Sequence, residues 1–417
     1  MTATRLTGAI PGEQPAGLGA VLDASSVVLV CGTGGVGKTT TAGVLAIEAA
    51  RRGRRVALVT IDPARRLAST LGLAALADHP ERLDPADWDA TGTAAPGGEL
   101  WAMMLDPKRT FDRLVTRHAG DPVQAERILA NGLYRSISGA LGGTQEYMAV
   151  EQLHELHTSE QFDLVVVDTP PSRHALDVLD APHRLVRLLD NRVFRLLVLP
   201  TRTSMRIAGF ALQTFLRSLS RVAGREVVDD AIAFFKAFDG MEEGFRERAT
   251  AVAALLLDPT TAFVLVTSPR HDAVEEAGFL ADRLLEQGLG VAALVVNRVE
   301  PLDAGIAVER AEALATSLAG EGLAGELVAR AAAQQRLATE ERAALGGLVA
   351  RVGDAPVTWV PVLEREAVDF EGLGAIGEHL LAGSARVGGA QPRGVRVGSA
   401  RVGGARVGGA RRTRGSR

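Results

Sequence analysis

One cysteine, Cys31, stands in 417 residues. An internal disulfide is therefore excluded, and so is a zinc site built from paired cysteines of one chain. Thiolate clusters of the kind that hold soft metals are excluded with them. The shortage fits a reducing, cytoplasmic setting. Lysine is nearly as scarce. Lys38, Lys108 and Lys236 are the only three, the rest of the 46 basic residues being arginine. A lysine that falls inside a motif is correspondingly informative. No run of about 18 apolar residues occurs, so no membrane-spanning helix is expected. The opening MTATRLTGAIPGEQPAGLGA lacks the apolar stretch of a secretory leader and reads as a disordered lead-in over 1–24.

What remains is an ordinary globular composition, 47% hydrophobic and 23% charged, enough for a large core in one to three domains. The net charge of −4 hides a division: Ser384 to Arg417 holds nine arginines and no acid, so the rest of the chain is distinctly acidic. An acidic body is a poor general binder of nucleic acid. The basic stretch repeats ARVGG at 385–389, 400–404 and 405–409 and keeps no hydrophobic period, so disorder is expected there. It is either a solvated tail with no specific role or a contact for RNA or anionic lipid. It has no aromatic residue on which bases could stack.

Short apolar runs alternate with helical periodicity, the pattern of an α/β fold with a mainly parallel sheet. Strands are expected at Ser26–Cys31, Arg55–Ile61, Glu99–Leu105, Phe162–Asp168, Thr261–Thr267, Gly290–Val296 and Val357–Pro361. SVVLVC, DLVVVD, TAFVLVT and VAALVVN are apolar without alternation, as strands covered on both faces are. From Ala181 to Asp258 no strand pattern appears, and a helical subdomain inserted into the core is expected. A shorter helical insert is expected over Pro107–Leu156. The division is then a lead-in 1–24, a first core part 25–180, the helical subdomain 181–258, a second core part 259–383 and a tail 384–417. Apolar faces in the subdomain, carried by Phe194, Phe210, Phe215, Phe234, Phe235 and Phe238 among others, either pack it internally or line a groove. Only Met205 and Met241 supply the flexible thioethers that promiscuous grooves favour.

The most specific signal is Gly32-Thr33-Gly34-Gly35-Val36-Gly37-Lys38-Thr39. It fits G-x-x-x-x-G-K-[ST] directly after an expected strand and before an expected helix, Thr39–Arg52. Glycines let the backbone wrap round phosphates with its N–H groups inward, and the following helix adds the positive end of its dipole. In such a loop the lysine bridges the β- and γ-phosphate oxygens and the Thr39 hydroxyl ligates Mg2+. Asp168, where an apolar strand ends, has the position of a carboxylate that holds the Mg2+ shell. Asp62 ends another strand on the same edge, where ligands of open parallel sheets bind. It either orients an attacking water or caps the helix that begins near Pro63.

Together these pieces resemble a known family. GTGGVGKTT, TIDPARRLASTL and DLVVVDTPPSRHALDVL are similar, in order and spacing, to the P-loop, switch I and switch II motifs of the arsenite-pump/tail-anchored-protein-targeting (ArsA/GET) ATPases, a deviant Walker A class. FKAFDGMEEGFRERA resembles the family's helical segment. VVNRV at 295–299 and VPVLEREAVDFEGL at 360–373 resemble its two adenine-side elements. The resemblance runs from about Ser26 to Leu381. It implies an ATPase that uses ATP and Mg2+ and works as a dimeric switch. It assigns phosphate binding to Gly34, Gly35, Val36, Gly37, Lys38, Thr39 and Thr40, and the metal to Thr39 and Asp168. Catalysis falls to Lys38 and Asp62, with Asp62 positioning or activating water, and adenine contacts fall to Asn297 and Pro361. His174 is expected to start a helix or make a hydrogen bond rather than catalyse. A hydrophobic or membrane-protein client is also implied, with membrane association at most peripheral and no nucleic acid.

The chain departs from the family pattern in three places. The lysine that follows the first glycine in G-K-G-G-x-G-K is Thr33 here. A homodimer would lack the cation that relatives extend into the partner's nucleotide site. The expectation is either a homodimer with slow or differently assisted hydrolysis, or a heterodimer with a lysine-bearing paralogue. No CxxC is present, so the zinc clasp of some family dimers is not expected. With one cysteine, thiol-based arsenite pumping is not expected either. Two other readings are a ParA/MinD-like positioning ATPase, binding DNA or membrane through the tail, and a regulatory subunit without hydrolysis. The helical insert speaks against the first, and the intact Lys38, Thr39, Asp62 and Asp168 against the second.

Overall fold

The computed structural model describes residues 17–61, 66–71, 73, 75–89, 92, 94–132, 134–135, 144–170, 179–184, 186–187, 230, 233–234, 237, 240–302, 306–363 and 369–382. Its Val/Leu-rich runs form the strands β1 Val27–Gly32, β2 Arg55–Thr60, β3 Glu81–Arg82, β4 Glu99–Met104, β5 Leu164–Asp168, β6 Thr261–Thr267, β7 Val291–Val299 and β8 Val357–Pro361. They make one 8-stranded sheet in the order β3-β4-β2-β5-β1-β6-β7-β8. Every neighbouring pair is parallel except β3 and β4. The fold is α/β, a mostly parallel sheet covered by helices.

The alternation of strand side chains explains why the runs are apolar throughout. Val27, Leu29 and Cys31 enter one core cluster, while Val28 and Val30 enter the other. The first cluster is closed by Tyr147, Phe245, Leu280 and Leu345, from the helices Thr144–Thr158, Glu242–Leu256, His271–Glu286 and Leu323–Arg351. The second is closed by Leu45 and Leu373, from the helices Lys38–Arg51 and Phe370–Ala382. Each such side chain contributes about 1.5–3 kcal/mol relative to exposure. Helix starts follow local chemistry. Asp84, Asp106 and Asp121 each precede proline and accept a hydrogen bond from a first-turn backbone N–H.

The expected strands appear within one to three residues of their predicted ends. Two differences are larger. β3 has only two exposed polar residues and no apolar pattern to announce it, and it exists by pairing antiparallel with Trp101 and Ala102. The lead-in expected to be disordered over 1–24 instead closes with a helix, Leu18–Ala24. Leu18 and Leu22, one turn apart, are fully buried in the second cluster, and that burial orders it. Positions 1–16 and the tail 384–417 lie outside the described residues. Of the expected subdomain 181–258, the longest described piece is the helix Glu242–Leu256; Phe194, Phe210, Phe215, Phe235 and Phe238 lie outside. Among the described residues, no helix is long and apolar enough to cross a membrane.

This topology sets the site at the carboxyl edge of the sheet's centre. From β1 the chain moves to β2 and β4 on one side and later to β6, β7 and β8 on the other. The crevice where the winding reverses is the usual ligand position in such sheets. At the exit of β1, Gly32 has φ +153 and a Cβ there would lie 2.1 Å from the Val266 carbonyl oxygen. Only glycine lets β1 and β6 stay paired as the loop begins.

Candidate functional site

Residues Thr33 to Gly37 leave β1 and turn into the 14-residue helix Lys38–Arg51. Gly37 sits immediately before that helix in the left-handed region, φ 99. That φ favours glycine, and a Cβ at Gly37 would also come within 2.3 Å of the Asn297 side-chain nitrogen and displace it. Gly34 and Gly35 are exposed at the crest, Val36 is buried, and Thr40 is half-buried in the first helical turn. Lys38 is only 7% exposed. Its Nζ donates to the Thr33 carbonyl at 2.9 Å, so the ammonium lies back over its own loop.

The first helical turn is tied to the next strand. The Thr39 hydroxyl donates to Asp168 Oδ2 at 2.8 Å, and the Thr60 hydroxyl donates to the same oxygen at 3.2 Å. Asp168 is 1% exposed. Register explains the meeting. β5 lies between β1 and β2, and Asp168 pairs with Val30 on one side and Thr60 on the other. Thr60 was not anticipated. Its signal was its place as a strand-end hydroxyl two positions before Asp62. Thr39 and Asp168 supply hard oxygen donors, the class that suits Mg2+.

Asn297 approaches the same loop from β7. Its Nδ2 donates to the Val36 carbonyl at 2.8 Å, and its Oδ1 accepts from the Arg298 backbone N–H at 2.9 Å. Pro361 lies beside it on the same edge, at the end of β8, with Val360 paired to Asn297 and Pro361 to Val299. The loop, Lys38, Thr39, Asp168, Asn297 and Pro361 are therefore gathered at one sheet edge. Asp62 and His174 lie outside the described residues. Cys31, just before the loop, is buried, and burial pushes its thiol up to about 11 against the weaker opposing pull of a Thr169 hydrogen bond and the Lys38 charge. A thiolate is thus not at hand near neutral pH.

The arrangement is a backbone cradle, a buried ammonium and a hydroxyl–carboxylate pair, a set able to hold a polyphosphate with a hard cation. A family model described as anion-transporting ATPase matches residues 25–309. The putative arsenical pump-driving ATPase 2 of Aquifex aeolicus is 23% identical over 278 residues, 65% of this chain and 79% of that protein. The ATPase GET3 of Malassezia globosa is 26% identical over 296 residues, 70% of this chain and 79% of that one. The arsenical pump-driving ATPase of Acidiphilium multivorum is 29% identical over 276 residues, 65% of this chain and 39% of that one. A fold, a phosphate loop and a family match over most of the chain agree, and this protein belongs to the anion-transporting (ArsA/GET3) ATPase family.

Proposed function

We propose that this ATPase is a Mg2+-dependent switch that works as a dimer and couples its nucleotide state to a hydrophobic or membrane-protein client. The observation that carries the reading is the bond from Thr39 to Asp168, formed beside a buried Lys38. In this reading the amides of Gly34 to Thr40 and the Lys38 ammonium bind the phosphates. Thr39 and Asp168 hold Mg2+, which neutralises phosphate charge when bound. Asp62 orients the attacking water, and Asn297 and Pro361 border the adenine. A cytoplasmic setting is part of the proposal, supported by the single cysteine.

What the chain cannot hold bears on the proposed client. One buried cysteine with a raised pKa is no soft-metal site, so an arsenical ligand is disfavoured. An apolar polypeptide segment fits the remaining expectation. It is tested by capture of a labelled peptide with about 20 apolar residues in ATP and in ADP. Equal capture in both states would remove the coupling.

The catalytic proposal is tested by ATP turnover of the purified chain against its Lys38→Ala variant, with oligomer mass recorded in ADP and ATP. Turnover that needs Lys38 and Mg2+, from a dimer, is the expected result. Turnover indifferent to Lys38 would overturn the reading. Nucleotide binding without turnover would favour the heterodimer with a lysine-bearing paralogue, which Thr33 keeps in view.

A further inference from the structure

Arg298 occupies an unusual place. β7 carries an irregularity between Asn297 and Val299, and Arg298, inside it, has φ 59. Among the described residues only Arg298 and Glu160 combine a side chain with positive φ. Such backbone is disfavoured for any residue with a Cβ, and where it persists at a sheet edge beside a loop it invites a functional account. The Asn297 amide holds it there, donating to the Val36 carbonyl at 2.8 Å while accepting from the Arg298 N–H at 2.9 Å. One side chain thus sets Arg298 relative to the phosphate loop.

The exposed Arg298 lines a cavity of about 300 Å³ that the loop segment Thr33 to Val36 also lines. The other charged groups of that cavity are already engaged. Arg270 and Asp272 pair at 2.6 Å, and Glu341 accepts from the Glu300 backbone N–H at 2.8 Å. Arg298 makes no ion pair with a described residue. The loop itself, Gly32 to Thr40, carries one cation, Lys38, and that ammonium is turned onto the Thr33 carbonyl. The cavity therefore sets an uncommitted cation, with the planar fork that suits phosphate oxygens, against the residues Thr33 to Val36 of the loop.

We propose that Arg298 is a phosphate-binding residue of the nucleotide site, its guanidinium taking phosphate oxygens across the outer face of the loop. This rests on the nucleotide reading of the loop given above. The phosphate belongs either to the nucleotide of the same chain or to that of a second copy docked on this face.

The test uses the full chain with Arg298→Ala, Arg298→Lys and Lys38→Ala. Binding of ATP, ADP and inorganic tripolyphosphate is measured by equilibrium titration, and ATP turnover in parallel. Arg298→Ala is expected to weaken tripolyphosphate binding, or slow turnover, roughly tenfold or more. Arg298→Lys should recover part of the loss, and the unfolding midpoint should stay at the parent value, since an exposed side chain is removed. Unchanged tripolyphosphate binding together with unchanged turnover in Arg298→Ala would overturn the proposal, and binding alone decides if the parent does not turn over. Lys38→Ala separates the two levels. If it too leaves binding intact, the nucleotide reading fails; if it abolishes binding while Arg298→Ala leaves binding and turnover at the parent values, only the Arg298 inference fails. Mixing Lys38→Ala with Arg298→Ala chains identifies the source. Recovery in the mixture means Arg298 serves a second copy's nucleotide, and no recovery means it serves its own.

Discussion

Thr39 and Asp168 are 129 positions apart in the chain, yet the hydroxyl of one donates to the carboxylate of the other at 2.8 Å. The contact joins the first turn after the loop to the end of β5, and it sets two hard oxygens side by side, as the proposed Mg2+ site requires. Asp168→Asn keeps the shape and the hydrogen bond but removes the charge. Its Mg2+ requirement in ATP turnover should shift upward, with activity down roughly 10–100-fold at limiting metal. Thr39→Ser, which keeps the hydroxyl, should stay near the parent. An unshifted Mg2+ titration in Asp168→Asn would remove this carboxylate from the metal site.

Asn297 gives a sharper division. Resemblance assigns it to adenine, and its Nδ2 is also bonded to the Val36 carbonyl of the loop. A neutral hydrogen bond of this kind contributes about 1 kcal/mol, or roughly fivefold in affinity. Asn297→Ala should therefore weaken inorganic tripolyphosphate by about that factor, and ATP, which also loses the proposed base contact, by more. A contact with the base alone would spare tripolyphosphate, and a competition titration distinguishes the two.

The core of the fold was legible because buried parallel strands are apolar on both faces, as in VVLVC and LVVVD. The loop was legible because its glycines and its rare lysine answer local needs of backbone and phosphate. Contacts across long separations were not. Nothing in VVNRV says that Asn297 reaches Val36, 261 positions away, or that Arg298 takes a conformation usually left to glycine or asparagine. β3 escaped because two polar residues leave no period to detect. The Asp-Pro pairs were only half informative. At Asp84, Asp106 and Asp121 the dipeptide is a helix cap, so its occurrence at Asp62 could not by itself separate capping from chemistry.

Cys31 lies 3% exposed at the end of β1, and burial raises its thiol to about 11. Thiolate is the reactive form, so the native chain should be inert to thiol reagents near pH 7. Titration with a chromogenic disulfide should count no reactive thiol in the folded protein and one after denaturation. ATP turnover should survive treatment with a thiol alkylator. Rapid labelling without loss of structure would show the loop region opening far more than its burial implies.

His154, on the helix Thr144–Thr158, makes stability depend on acid. It is 8% exposed, and burial first, then the charges of Arg248, His157 and Arg117, lower its pKa from 6.5 to about 4. The unfolded chain thus binds more protons than the native one between those values, so stability rises with pH across that window. On acidification the contribution is intact above about pH 6.5 and is lost progressively towards pH 4, on the order of 3 kcal/mol in all. Glu151 acts in the opposite sense. Burial raises its pKa despite the 2.6 Å contact with Arg248, so its own contribution declines as pH rises above the ordinary glutamate value. A His154→Leu variant isolates the histidine. Urea midpoints measured from pH 4.5 to 7.5 should fall less steeply with acid in the variant than in the parent, with parallel behaviour above pH 7. Equal slopes on the acid side would mean that His154 is protonated in the folded state, and that acid sensitivity must come from another group.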